Sequence, residues 1–61
     1  MTLKEYDKIR LKTGERGCIL EIFGDGVFLA EIISKNGDIR TIEIESEEIK
    51  SRIVEVEEAF S

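Results

Sequence analysis

The chain contains no histidine, no proline and no tryptophan, and one cysteine, Cys18. Without histidine, the commonest general base of enzymes is missing. A single cysteine permits neither an intrachain disulfide nor a pair of thiolates sharing a zinc ion. Cys18 lies in an apolar run, Gly17-Cys18-Ile19-Leu20, with no activating partner nearby in sequence, and reads as a small core hydrophobe. The opening stretch, Met1 to Tyr6, has no apolar segment of the signal-peptide kind, and no run approaches the ~20 residues of a membrane span. One thiol and no export signal predict a cytoplasmic protein, with no membrane partner.

Size sets a further bound. The chain has 61 residues, which predicts a single domain over residues 1–61. A chain this short buries only ~60% of the surface it exposes when unfolded. One small core then supplies roughly 3–5 kcal/mol of net stability. With no metal or disulfide to help, the fold rests on packing alone or on self-association, as a monomer or a homodimer.

What is present is charge, and it is uneven. The net charge is −5. Residues 1–16 hold five bases against three acids, giving +2, and residues 17–61 hold four bases against eleven acids, giving −7. An acidic body repels phosphate backbones, which argues against nucleic acid as a partner and for a basic protein. Glu43, Glu45, Glu47 and Glu48 are the candidate partner-binding residues. They do not have the spacing of a calcium loop, and no cofactor or metal is predicted.

Three glycine-containing turns divide the chain: Thr13-Gly14-Glu15-Arg16-Gly17, Gly24-Asp25-Gly26 and Asn36-Gly37-Asp38. Turns at roughly 8–12-residue spacing between β-rich runs predict an all-β meander. Asn36-Gly37 fits a two-residue type I′ hairpin turn. Neither Gly24-Asp25-Gly26 nor Gly14 with Gly17 sits between a strand and a helix, so they read as turns and not as phosphate cradles.

Strands follow over about Asp7–Lys12, Arg16–Phe23, Val27–Ser34 and Ile39–Glu45. The second carries Cys18, Leu20 and Ile22 on one face and Ile19 and Phe23 on the other, which predicts a strongly bent strand. The third places Phe28, Ala30 and Ile32 together. Ile42 and Ile44 alternate with acids in the fourth. Ser46-Glu47-Glu48 is a helix-start signal suited to one short turn. Ile53–Glu57, with Val54 and Val56 inward, then reads as a fifth strand. One helix over residues 47–58 is the alternative. This order predicts a small SH3-like barrel of about five antiparallel strands, with one short helical turn before the last strand, which returns to pair with the first.

Lys8, Arg10, Lys12 and Arg16 form a candidate basic stripe. Two roles are open to it. If the first and last strands are neighbours, Lys8, Arg10 and Lys12 stand across from Glu55 and Glu57 and fix register. Otherwise the stripe faces phosphate or an acidic partner. The aromatics, Tyr6, Phe23, Phe28 and Phe60, are too few and too scattered for a proline groove or a methyl-lysine cage. Leu3 and Phe60 are apolar ends that a dimer would bury.

The stretch from Tyr6 to Lys12, then Gly14, Gly17, Ile19 to Phe23, Asp25-Gly26 and Ala30-Glu31-Ile32, resembles a family of short bacterial proteins catalogued as a domain of unknown function. The resemblance covers roughly residues 4 to 50. It implies an SH3-like fold and a bacterial, cytoplasmic origin, and it brings no site residues. Gly17 through Ile32 also resembles a KOW motif, which implies contacts with RNA, ribosome or polymerase. The chain departs from that motif in its acidity and in its missing basic loop residues. Three expectations result: a non-catalytic module that binds a basic protein through its acidic face, a KOW-like accessory binder, or a self-associating structural protein.

Overall fold

The computed structural model describes residues 2–54. Five strands run antiparallel in one sheet: β1 (Lys8–Leu11), β2 (Arg16–Gly24), β3 (Val27–Ile33), β4 (Ile39–Glu45) and β5 (Ile49–Ile53). One 3₁₀ turn, Ser46–Glu48, precedes β5. The strand order is β4-β3-β2-β1-β5, so the last strand does return to the first. Ile9 and Leu11 of β1, Ile19 of β2, Phe28, Ala30 and Ile32 of β3, Ile44 of β4 and Ile49 of β5 pack in one core. β4 and β5 stand at opposite edges of the sheet. Their sharing one core means that the sheet curls until its two edges approach.

The curl has local causes. β2 pairs with β3 through two irregularities, between Ile19 and Glu21 and between Ile22 and Gly24. Such bulges bend a strand and tighten its twist, which is why β2 carries apolar side chains on both faces. Gly17 is buried at the tightest approach. A Cβ there would lie 2.5 Å from Ile32 Cδ1 and 2.7 Å from the Glu31 carbonyl oxygen.

The Asn36-Gly37 turn differs from the expected type I′ form. The Gly37 N–H donates to the Ser34 carbonyl at 2.9 Å, and the Ser34 N–H donates to the Asp38 carbonyl at 2.8 Å. Gly37 has φ +93°, while Asn36 stays at negative φ. This is a three-residue loop, a type I turn closed by a left-handed glycine. Asn36 serves through its side chain, whose Oδ1 accepts from the Asp38 N–H at 3.2 Å and from the Ser34 hydroxyl. The β1–β2 loop is built alike. The Gly14 N–H donates to the Leu11 carbonyl at 2.8 Å, with φ +96° at Gly14.

The fifth strand corrects the sequence reading. β5 begins at Ile49 and ends at Ile53. Val54 is outside the strand and 68% exposed, not inward. Residues 55–57 of the expected strand, with Val56, lie outside the described residues. The single helix over residues 47–58 is excluded for its first half, which is 3₁₀ turn and then strand. The early placement is set by the connection. The Lys12 N–H donates to the Glu48 carbonyl at 2.9 Å, and Leu11 pairs with Ile49 immediately afterwards.

Candidate functional site

Glu43 and Glu45 lie two residues apart on β4, so their side chains share the face of the sheet opposite to the core residue Ile44. They stand across from Leu29 and Val27 of β3. Glu47 and Glu48 continue the series on the 3₁₀ turn, and all four are exposed. Glu45 and Glu48 form a reciprocal capping box, in which Glu48 Oε2 accepts the Glu45 N–H at 2.9 Å and the Glu45 side chain faces the Glu48 N–H. No ion pair holds any of the four among the described residues. The structure thus brings the four predicted acids into one rim, along a sheet edge and around its end.

That edge has unspent backbone groups. In an antiparallel pair, hydrogen-bonded and non-hydrogen-bonded residue pairs alternate. The Ser34 N–H bonds to the Asp38 carbonyl and the Ser46 N–H bonds to the Gly26 carbonyl at 2.8 Å. The register between β3 and β4 is unbroken from one of these pairs to the other. The even-numbered residues of β4, Arg40, Ile42 and Ile44, therefore bond to β3. Ile39, Thr41, Glu43 and Glu45 point their N–H and C=O groups away from it. At Glu45 the N–H is the one that Glu48 takes.

Three members of the basic stripe, Lys8, Arg10 and Arg16, share one face of the sheet. Lys8 and Arg10 are on β1, opposite Cys18 and Arg16 of β2. Arg10 thus faces a like charge, and its Nη1 donates to the Gly14 carbonyl at 3.2 Å. Lys12 is in the exposed turn after β1. Lys8 and Arg16 line a groove of about 590 Å³ together with Lys35, Glu15 and Glu31, over Cys18, Ile33 and Ile53. The register sets Ile53 opposite Lys8, and the ladder expected against Glu55 and Glu57 falls on residues beyond that pair. Both glutamates lie outside the described residues. On β5, Arg52 Nη1 lies 3.8 Å from Asp7 Oδ2.

Cys18 also departs from expectation. It is half-buried in that groove, with its Sγ 3.8 Å from the Ile19 carbonyl oxygen, and is not a member of the core. Strand alternation turns Gly17 and Ile19 inward and leaves Cys18 on the outer face. Tyr6 is 70% exposed. Leu3 packs against the chain's own core, and Phe60 lies outside the described residues.

An ion pair between β4 and the β1–β2 loop was not legible in the sequence. Arg40 Nη1 and Nη2 donate to Glu15 Oε2 and Oε1 at 3.1 and 3.0 Å, a two-pronged contact between residues 25 apart. The hydrogen bond from Arg40 holds the Glu15 carboxyl below its ordinary range, and the same bond raises the Arg40 guanidinium. No local pattern marks such a pair. Among the described residues, no group of three or more Cys, Asp or Glu side chains is placed to hold a metal ion, and no helix is long and apolar enough to cross a membrane.

Comparison of the chain with protein-family models, with curated proteins and with solved structures gives no match.

Proposed function

We propose that this is an SH3-like barrel acting as a non-catalytic interaction module, which binds a basic protein partner through its acidic rim. The strand order, with a 3₁₀ turn leading into a last strand that pairs with the first, supports the SH3-like description. The observation that carries the function is the rim itself. Glu43, Glu45, Glu47 and Glu48 are exposed, contiguous and free of ion pairs among the described residues. A basic surface is attracted to such a rim, whereas a phosphate backbone is repelled.

The second reading, a KOW-like accessory binder of RNA, ribosome or polymerase, draws on the groove where Lys8, Arg16 and Lys35 meet. Two carboxylates, Glu15 and Glu31, line the same groove and weaken its pull on phosphate.

Affinity capture of tagged protein from its own lysate, with and without nuclease, separates the two. A nuclease-resistant basic protein lost with the double variant Glu43→Lys/Glu45→Lys is the expected result. Ribosomal or polymerase components that vanish with nuclease, and persist with that variant, would establish the second reading instead.

A further inference from the structure

β4 is one of the two edge strands, and an edge strand is a template for another chain unless something covers or repels it. Its outward ladder is specific. The N–H and C=O groups of Ile39, Thr41 and Glu43 point away from β3, and beyond them the Glu48 carboxylate occupies the Glu45 N–H. The free ladder therefore stops at Glu43. Its side chains alternate in character as well. Glu43 and Glu45 project on the outer face, while half-buried Ile42 and buried Ile44 project toward the core.

Charge decides what fits. A second copy paired antiparallel about Ile42 sets Glu43 diagonal to its own counterpart, and pairing one register further sets the two Glu43 side chains directly opposite. Like charges in such positions are destabilising, and both copies carry a net charge of −5. The acids thus repel self-pairing, while an incoming strand with bases on its outer face meets opposite charge.

We infer that β4 takes up an extended segment of a partner protein as a sixth strand, along Ile39–Glu43, and that the segment alternates basic residues with apolar ones. This rests on the reading of the acidic rim as a binding face and supplies its mode. Backbone pairing to Ile39, Thr41 and Glu43 gives affinity. Bases opposite Thr41 and Glu43 lie beside the Glu43 and Glu45 carboxylates. Apolar residues between them cover the exposed flank of Ile42. This is strand addition, with main-chain bonds for affinity and alternate side chains for specificity.

The test uses a short acetylated and amidated peptide alternating lysine and valine, and a second of identical composition with its lysines grouped. Amide hydrogen exchange by NMR should show the Ile39, Thr41 and Glu43 N–H groups newly protected by the alternating peptide. Arg40, Ile42 and Ile44, already bonded to β3, should not change. Thr41→Pro leaves the β3–β4 ladder intact, because the Thr41 N–H points outward. It should weaken the alternating peptide by about ten-fold, the equivalent of one lost ladder bond. If both peptides bind alike and Thr41→Pro changes nothing, the acidic rim binds basic chains but not as a strand, and the inference fails while the function stands. If neither peptide binds, both fall. Protection of Thr41 and Glu43 without peptide would also overturn it: protection that grows with protein concentration assigns the edge to a second copy, and protection at every concentration assigns it to the chain itself. Should Thr41→Pro not fold, the exchange pattern of the unaltered protein still decides.

Discussion

Arg40 of β4 forks onto Glu15 of the β1–β2 loop, with β3 lying between the strands they serve. Arg40 is on the core side of β4, across from Ile32 of β3, so its side chain spans the open end of the curled sheet. A carboxylate whose pKa is lowered on folding adds stability above its unfolded pKa and loses it as pH falls through the folded value. Glu15 is in this position, with 4.5 as its ordinary value. The urea midpoint of the protein should fall as pH drops below about 4.5, and Glu15→Gln should flatten part of that fall. Identical acid profiles for the two proteins would show that the fork contributes nothing in solution.

Gly17 should not tolerate a methyl group. The added Cβ meets backbone as well as the end of Ile32, so Gly17→Ala should destabilise by about 1–3 kcal/mol, the cost of overpacking a filled site. Gly37→Ala offers a contrast. That site is open but has φ +93°, and its cost should be about 1 kcal/mol of backbone strain alone. Denaturant unfolding of both variants gives the comparison.

The position of β5 is equally open to measurement. Ile49 is buried in the core, and Ile49→Ala should cost about 2–5 kcal/mol, most of the stability of so small a domain. Val54→Ala should change it by no more than about 0.5 kcal/mol. The reverse ranking would restore the strand to Ile53–Glu57.

Tyr6 holds φ +70° at the third position of a turn in which the Asp7 N–H donates to the Lys4 carbonyl at 3.1 Å. It is the only non-glycine residue with positive φ among the described residues, and its ring is mostly exposed. Asparagine tolerates that conformation better. Tyr6→Asn should raise the thermal midpoint, by the equivalent of about 0.5 kcal/mol. A drop would mean that the ring contributes packing that outweighs the turn.

These variants also trace what the sequence made visible. β3 and β4 were readable almost to the residue because Phe28, Ala30 and Ile32, and then Ile42 and Ile44, alternate against polar or half-buried neighbours. β5 was not. Ile-Val-Glu-Val-Glu alternates more cleanly than Ile-Lys-Ser-Arg-Ile, yet among the described residues the fifth strand is Ile49–Ile53. A short edge strand shows the core little of itself: Ile49 is buried, Ile53 is half-buried, and the three residues between are exposed. Its pairing with β1 shifts register between Arg10 and Leu11, which breaks the two-residue period. The acidic rim was legible because its members are neighbours in the chain. The Arg40–Glu15 fork and the contribution of Lys35 to the groove were not, since the curl of the sheet creates both.

The pairing of Lys8 with Ile53 joins the two ends of the described chain. Contacts so distant in sequence require a large loop to close before they return any energy, and chains dominated by them fold in milliseconds to seconds, not microseconds. The β2–β3–β4 meander needs only its local turns and can form as soon as residue 45 is available. β1 can add to β2 through its own short loop, but its other edge must wait for β5. During synthesis Ile9 and Leu11 therefore stay without one flank of their core until Ile49 has left the ribosome, and that interval is when this chain is most open to wrong partners.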